Sequence, residues 1–128
     1  MTQDREEYQV LIAGQGAAAF AAALYAARYH TSCVVVGEKF GGETAIGGVI
    51  ENYPGYPEID GFELMMKFRE QVDKYDVPVV DDRVVSLARS GDRFDVTTAE
   101  GRSYSANTVV LAVGRERRML GLEHEMDW

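Results

Sequence analysis

The residues with the clearest chemical potential lie in the first third of the chain, where two glycines follow one apolar run and an acid follows the next. Gly14 and Gly16 come directly after the run at 10–13, and an alanine-rich segment begins at once. A second apolar run, at 33–36, is followed by Glu38. Glycines at such a turn let a pyrophosphate approach the backbone N–H groups of a helix N-terminus, and the acid can accept a hydrogen bond from a ribose. The spacing therefore predicts a dinucleotide-binding unit.

A strand, a tight turn, a helix and a second strand must hold these residues in place. The pattern predicts a strand at 8–13, a helix at 17–29 and a strand at 33–36. Ala19 stands where the third glycine of the pattern permits close helix packing, a role that alanine also fills. Glu38 alone could be a solvated residue at a strand end, but its distance along the chain from the first glycine favours the ribose interpretation.

The segment after the second strand is long and rich in glycine. Glycine and proline recur through 38–61 and exclude a long regular element. A loop of this length in a compact domain usually carries function. Its few polar side chains, among them Glu43, Thr44 and Asn52, suit a backbone that follows a flat ligand closely. A plain surface excursion is the alternative.

The remaining chain completes an α/β fold. Apolar residues at helical spacing predict a helix over 61–75 whose apolar face comprises Phe62, Met65, Met66, Phe68, Val72 and Tyr75. The run at 77–80 predicts a third strand. Strands and helices in this alternating order predict a parallel, doubly wound sheet. Strand-like segments separated by turn residues then predict an antiparallel meander over about 83–106, and the apolar run at 109–113 predicts a return to the parallel sheet. The predicted fold class is α/β, a Rossmann-like three-layer domain with a parallel sheet and a small antiparallel β-meander.

The composition fits one globular domain and argues against two classes of partner. Hydrophobic residues make up 46% and charged residues 27% of the 128 residues, which are ordinary values for a globular domain. A formal net charge of −8 would repel a nucleic acid. No apolar run reaches the length that spans a bilayer, and the polar first residues do not resemble a signal peptide. We therefore expect no nucleic-acid or membrane partner and a cytoplasmic location.

Residue types that bind metals or attack substrates are sparse. Cys33, the single cysteine, lies in a strand predicted to be buried, so we expect an inert core thiol. His30 and His124 have no sequence neighbours spaced like metal ligands, and we expect both at the surface. The sequence therefore predicts neither a metal site nor a catalytic cysteine.

The acids include two closely spaced pairs, Asp81 with Asp82 and Glu123 with Glu125. General acid–base catalysis needs two carboxyl groups across a cleft in different environments, whereas neighbours on a strand point to opposite faces. We expect these acids to be solvated charges that favour solubility.

Several motifs make the chain resemble the N-terminal part of thioredoxin reductases and related low-molecular-weight flavoprotein disulfide oxidoreductases. The motifs are GQGAAA in the first turn, LYAAR in the first helix, EKFGGET after the second strand, IENYPGYPEIDGFEL, FREQ in the next helix, and VVLAVG followed by LGL. A lone glycine pattern has many false positives. The ordered set is far more specific, and it covers essentially the whole chain but less than half of a family member.

The resemblance implies FAD as the cofactor and assigns it a first group of residues. Gly14, Gly16 and Ala17 match the positions that face the pyrophosphate, and Glu38 matches the acid that holds the adenosine ribose. Lys39, the next residue, belongs to the same predicted set.

A second group corresponds to the family's contacts with the flavin and the adenine. Gly42, Glu43 and Thr44 match the segment beside the flavin, Asn52 the asparagine of the ENxPG motif, Gly114 the glycine of the ATG motif, and Val85 would offer backbone groups to the adenine.

Three positions depart from the family pattern. Ala17 replaces a common proline, Val113 replaces a threonine, and Glu43 replaces the usual glutamine. The glutamate changes a neutral donor and acceptor into an acceptor alone when it is ionised, which bears on the detailed flavin contacts.

The resemblance also implies an activity for the complete family architecture. Electrons would pass from NAD(P)H through FAD to the disulfide of a thioredoxin-like protein substrate, and the complete protein would be a homodimer. These residues hold no C-x-x-C and no second glycine pattern, so we assign them no catalytic residue. The expected organisation is a first segment of an FAD-binding domain at 1–114 and a linker toward a pyridine-nucleotide domain at 115–128.

Two other functions remain open on the residues alone. A stand-alone regulatory module that binds NAD or an adenine nucleotide without catalysis would carry the same glycine turn and acid. An incomplete unit whose open sheet edge docks a partner chain would also carry them. The loop at 41–55, which a bare NAD site does not need, favours FAD.

Overall fold

The computed structural model describes residues 5–116 and 118–123, which contain eight strands and three helices. In chain order these are β1 (Glu6–Ala13), α1 (Ala17–Arg28), β2 (Cys33–Gly37), α2 (Gly42–Ile46), β3 (Val49–Ile50), β4 (Ile59–Asp60), α3 (Gly61–Asp73), β5 (Val79–Asp81), β6 (Val84–Ser90), β7 (Arg93–Thr98) and β8 (Ser103–Leu111). The strands and helices predicted before the meander are confirmed, with bounds that differ by one or two residues. The glycine-rich loop contains only short elements, as its composition predicts.

Six strands form one mixed sheet in the order β5-β2-β1-β8-β7-β6. The first four are parallel, and β7 and β6 extend the sheet in antiparallel fashion. Strand β8 belongs to both parts, because it pairs with β7 over Ser103–Ala106 and with β1 as far as Leu111. The predicted meander that returns to a parallel sheet is therefore confirmed. Strands β3 and β4 form a separate antiparallel pair.

Helices α1 and α3 pack on one face of the sheet. Ile12 and Val35 meet the buried small side chains of α1, including Ala19 and Ala23, and Phe20 fills the space between them. Ala19 has no exposed surface, which agrees with its predicted packing role. Full burial of a side chain as large as Phe20 stabilises a fold by about 1.5–3 kcal/mol.

The opposite face of the parallel strands packs against the meander. Leu11, Val34 and Val36 form a second core cluster with Val96 of β7 and Tyr104 of β8. Layers of helices, sheet and meander give the predicted three-layer arrangement.

The predicted doubly wound sheet is confirmed in its strand order, β5-β2-β1-β8, but strands take the place of helices on one of its two faces. The chain runs from β1 to β2 to β5 in one direction across the sheet. Right-handed crossovers that advance in one direction lie on one face, so α1 and α3 share it. After β5 the chain forms the meander instead of a helix, and the second face is covered by strands.

The apolar face of α3 differs in part from its predicted composition. Met65 and Val72 are buried as predicted, and Leu64 joins them. Three residues predicted on that face are 40–51% exposed: Phe62, Met66 and Tyr75. The spacing of apolar residues therefore predicts a wider apolar face than the one that α3 buries.

None of the described helices is long enough to cross a membrane. The longest, α3, has 13 residues, whereas a spanning helix needs about 20 apolar residues. After β8, residues 112–116 and 118–123 form neither helix nor strand. The predictions for His124 and Glu125 lie outside the described residues.

Candidate functional site at the carboxyl ends of the parallel strands

The carboxyl ends of β1, β2, β5 and β8 meet at one edge of the sheet. Ala13 pairs with both Val36 and Leu111, and Gly37 pairs with Asp81. Ligands of open α/β sheets bind outside this edge. Most of the predicted site residues follow these strand ends directly, so the structure brings them to one side of the molecule.

Gly14 begins the turn after β1 in a conformation that favours glycine. Its φ is +127°, and its N–H donates to the carbonyl oxygen of Val36 at 2.8 Å. A Cβ atom at this position would lie 2.0 Å from the carbonyl oxygen of Ala112, which follows β8. The turn is therefore pressed between two strand ends, and a side chain has no room there.

Gly16 caps the N-terminus of α1 and leaves it open. Among the described residues, no side chain caps the first turn of the helix by a hydrogen bond, and that turn holds no acid. A Cβ atom on Gly16 would meet no atom of the described part of the chain within 4 Å. Because the first backbone N–H groups of a helix have no partner within it, they can bind an anion here. Gly14, Gly16 and Ala17 therefore fit the pyrophosphate of a dinucleotide.

The loop after β2 folds back against this turn. The N–H of Gly41 donates to the carbonyl oxygen of Gln15 at 2.7 Å. Gly42 has a φ of +53°, and a Cβ atom on it would lie 3.5 Å from the Cα of Gly16. The short helix α2 begins at Gly42 and carries exposed Glu43 and half-buried Thr44. The structure thus brings together two segments that the sequence assigned to different parts of a cofactor.

Gln15, between the two glycines, is a site residue that the sequence did not single out. Its side chain is buried, and its Nε2 donates to the carbonyl oxygen of Gly37 and to Oδ1 of Asp81, both at 2.7 Å. Its Oε1 is enclosed and has no hydrogen-bond partner among the described residues. An enclosed polar atom without a partner costs about 1–3 kcal/mol. The place of Gln15 inside the glycine pattern was the available signal.

Gly37, the last residue of β2, was also missed. A Cβ atom on Gly37 would lie 2.6 Å from the carbonyl carbon of Gly14 and 2.7 Å from the nitrogen of Gln15. Its φ is negative, so the close approach of the two backbones is what requires glycine. Its position directly before Glu38 was the signal in the sequence.

The expectation that Asp82 is a solvated charge is wrong. The residue is 4% exposed, and its carboxylate accepts hydrogen bonds from Arg102 at 2.7 Å and from two backbone N–H groups. Burial raises the pKa of this carboxyl, but the hydrogen bonds from Thr98, Arg102 and the backbone lower it further, so that it lies below its usual value. Asp82 therefore ties the end of β5 to the turn between β7 and β8. Asp81 is exposed, yet it is the partner of Gln15.

The remaining predicted site residues lie around this edge without a described contact to the glycine turn. Glu38 and Lys39 are exposed directly after β2, and Gly114 is exposed after β8 with a φ of +65°. Val85 is 52% exposed, at a break in the register of β6 against β7. Such a bulge leaves backbone groups unpaired, which suits a backbone contact. Asn52 is exposed after β3.

A depression of about 440 Å³ lies at the opposite, amino edge of the sheet. Tyr8, His30, Cys33 and Asp76 are among the residues that line it. Burial, helped by nearby Glu6, raises the pKa of Tyr8 to about 12. Burial also raises the pKa of the Cys33 thiol, which is 5% exposed, so the prediction of a core cysteine is confirmed. This depression is separate from the predicted cofactor site.

No group of three or more His, Cys, Asp or Glu side chains is placed to hold a metal ion among residues 5–116 and 118–123. The site described above is built instead from backbone groups, one buried amide and flanking acids. Such an arrangement can bind and orient a nucleotide.

A family model decides the relationship of the chain to known proteins. The model of the pyridine nucleotide-disulphide oxidoreductases matches residues 8–127. The chain belongs to this family. Among curated relatives, the bifunctional thioredoxin reductase/thioredoxin of Mycobacterium leprae is 38% identical over 122 residues, which are 94% of this chain and 27% of the relative. The thioredoxin reductase of Treponema pallidum is 34% identical and is matched over 95% of this chain and 40% of its own length.

Solved structures in the family share the fold. The thioredoxin reductase of Streptococcus pyogenes matches with a TM-score of 0.85 and 39% identity over 93% of this chain and 39% of its own. The thioredoxin reductase of T. acidophilum matches with a TM-score of 0.86 and 32% identity, over 96% of this chain and 40% of its own. The resemblance to thioredoxin reductases is therefore confirmed. The chain spans about two fifths or less of the length of these relatives.

Proposed function

We propose that this chain is the FAD-binding portion of a thioredoxin-reductase-like flavoprotein. The observation that carries the proposal is the contact between the glycine turn and the loop at 41–48, at the carboxyl edge of the parallel strands. A bare NAD site needs the turn and the acid, but it does not need this loop. Membership of a disulphide oxidoreductase family supports the same ligand.

The chain's own residues would bind and orient the cofactor. Backbone N–H groups from Gly16 onward would hold the pyrophosphate at the open N-terminus of α1. Glu38 would accept hydrogen bonds from the adenosine ribose, with Lys39 beside it, and the bulge at Val85 would offer backbone groups to the adenine. Because backbone N–H groups would hold the pyrophosphate, its binding needs no cluster of basic side chains.

The second half of the cofactor would lie along the loop. Gly42, Glu43 and Thr44 would flank the flavin, with Asn52 and Gly114 at its margins. When bound, the isoalloxazine supplies the redox chemistry, and the protein supplies binding, orientation and electrostatics. Glu43 would place a carboxylate where relatives of this pattern have a neutral amide, which makes the local field more negative.

The wider assignment follows from the family and extends beyond these residues. We propose that residues 1–114 form the first segment of an FAD-binding domain and 115–128 a linker toward a pyridine-nucleotide domain. In that architecture NAD(P)H would reduce the flavin, a thioredoxin-like disulfide would accept the electrons, and the complete protein would be a cytoplasmic homodimer.

Equilibrium binding to the 128-residue chain tests the proposal directly. The chain should bind FAD close to one per chain and show a flavin absorbance spectrum after gel filtration, and excess NAD should not displace the flavin. A chain that stays colourless with added FAD and binds NAD or an adenine nucleotide instead would favour the regulatory module. Retention of FAD only after a partner chain is added would favour an incomplete unit.

A matched pair of variants tests the ribose contact. Glu38→Ala should weaken FAD binding by about tenfold or more, because a hydrogen bond to a charged group contributes about 1.5–3 kcal/mol. Glu70→Ala removes an equal charge from an exposed position of α3 and should leave the affinity unchanged. Equal affinities for the two variants would contradict the assigned role of Glu38.

A further inference from the structure

Gln15 links the glycine turn to three neighbouring segments. Its backbone carbonyl accepts from the N–H of Gly41, and its Nε2 donates to Gly37 and to Oδ1 of Asp81, each at 2.7 Å. One residue therefore ties the turn after β1 to the ends of β2 and β5 and to the loop that follows β2.

Asp81, which accepts a hydrogen bond from Gln15, is held in place by its strand pairing and by the next residue. Asp81 pairs with Gly37 in the parallel register of β2 and β5. The next residue, Asp82, donates its N–H to the carbonyl oxygen of Gly37 at 3.1 Å, and its buried carboxylate is bound by Arg102. Because its neighbours restrict its backbone, Asp81 can fix the position of the Gln15 amide.

The hydrogen bonds of Gln15 also determine the orientation of that amide. Both hydrogens of its Nε2 have acceptors, whereas its Oε1 is enclosed and without a partner in the described part of the chain. An enclosed oxygen without a hydrogen-bond donor lowers the stability of the fold. If the Gln15 side chain served stability alone, an arrangement with this cost would not be expected. The arrangement points to a role in placing the turn.

We propose that Gln15 and Asp81 form a positioning pair that holds the Gly14–Gly16 turn in the shape that receives a dinucleotide pyrophosphate. The inference rests on the proposed function, because it concerns affinity for that ligand. Gln15 is 2% exposed, so it acts through the turn and not by touching the ligand. Backbone N–H groups bind a phosphate together only when they keep a common orientation, and a loosened turn loses affinity.

Electrostatics and positioning predict opposite results for Asp81→Ala. The substitution removes a negative charge from the edge where an anionic pyrophosphate would bind, so Coulomb repulsion alone predicts tighter binding. Loss of the acceptor for Gln15 predicts weaker binding. The sign of the change therefore separates the two effects.

The test is isothermal titration of FAD into the 128-residue chain and its variants, each measured under conditions where circular dichroism shows it folded. Gln15→Ala and Asp81→Ala should each weaken binding by about tenfold, comparable to the lower end of the loss when a supporting contact of a metal ligand is removed. The double variant should be no weaker than Gln15→Ala. Asp81→Asn keeps an acceptor oxygen and should restore most of the affinity.

The control is Asp92→Ala, which removes an exposed acid in the turn between β6 and β7 and should bind FAD as the unchanged chain does. Unchanged affinity in Asp81→Ala, even with lower stability to urea, would overturn the positioning role. An affinity of Asp81→Asn as weak as that of Asp81→Ala would also overturn it.

If the unchanged chain binds no FAD, the proposed function fails and the inference falls with it. If the unchanged chain binds FAD and the variants match it, the inference alone fails.

Discussion

A Cβ atom on Gly37 would lie 2.6 Å from the carbonyl carbon of Gly14, so the end of β2 and the turn after β1 touch through their backbones. The contact follows from the parallel register, which pairs Ala13 with Val36. Because Glu38 comes directly after Gly37, the same contact sets the distance between the turn and the acid. A change that separates these strand ends should therefore disturb both stability and ligand binding.

Gly37→Ala should lower the free energy of unfolding by about 1–3 kcal/mol, since the added methyl group overpacks two backbones. It should also weaken FAD binding, because the turn must move. Urea unfolding and FAD titration check both effects. Gly91→Ala is the control, since Gly91 has a φ of +61° and a Cβ atom on it would meet no described residue within 4 Å. That variant should lose about 1 kcal/mol through backbone strain and keep its affinity for FAD.

Gly14→Ala should mainly lower stability, whereas Gly16→Ala should mainly weaken FAD binding. The first variant places a methyl group 2.0 Å from the carbonyl oxygen of Ala112 and should destabilise the fold by about 3 kcal/mol or more. The second has open space for its methyl group and should lose at most about 1 kcal/mol as a poorer helix cap. Gly16→Ala should nevertheless weaken FAD binding, because its methyl group points into open space at the predicted pyrophosphate position. Equal loss of stability in the two variants, measured by urea unfolding, would contradict this distinction.

Asp82→Asn should lower the free energy of unfolding near neutral pH. It should also make that free energy change less as the pH falls. In the folded chain, hydrogen bonds hold the pKa of Asp82 below its usual value despite its burial. The carboxylate therefore contributes stability that is fully present above the unfolded pKa, about 3.9, and is lost as the pH falls through the lower folded pKa. Urea unfolding at a series of pH values from neutral to acid checks the prediction.

The control for Asp82 is Glu100→Gln. Arg102 contacts both acids, but the side chain of Glu100 is 63% exposed, whereas that of Asp82 is 1% exposed. Exposed ion pairs contribute little, so Glu100→Gln should leave the stability and its pH profile nearly unchanged. Parallel pH profiles for Asp82→Asn and the unchanged chain would count against a stabilising role of the Asp82 carboxylate.

Cys33 should react slowly with a thiol reagent in the folded chain. It is 5% exposed, and burial raises its pKa, so little thiolate is present and access is poor. Labelling in buffer should be at least about tenfold slower than labelling in denaturant. The control carries Cys33→Ala with Ser90→Cys, which places a thiol at an exposed position and should react at similar rates in both conditions. Equal rates for Cys33 itself would show that the strand opens readily.

The glycine turn after β1 could be predicted in detail because its signals are local. Gly14, Gly16 and Ala19 lie within six consecutive residues, and the apolar runs on either side define the strands and helix that hold them. The partners of this turn could not be predicted in the same way. Gln15 and Asp81 are separated by 66 positions, and only the order of strands in the sheet brings them together.

Charge patterns were the least informative feature of the chain. Asp81 and Asp82 are identical neighbours, and both were expected to be solvated. Tertiary structure separates them, because one reaches Gln15 across the strand ends and the other meets Arg102 from the turn after β7. Burial of an acid depends on which cation folds against it, and that information lies elsewhere in the sequence.

The sequence by itself determined the order of strands and helices, the glycine turn with its acid, and the resemblance that the family model confirms. These follow from short-range rules: backbone freedom at glycine, the periodicity of apolar residues and the spacing of motifs. Only the tertiary structure decided that both long helices share one face, that Gly37 has no room for a side chain and that Asp82 is buried. Each of these depends on contacts between residues distant in the chain, which arise when strands pair in register and the meander folds onto the sheet.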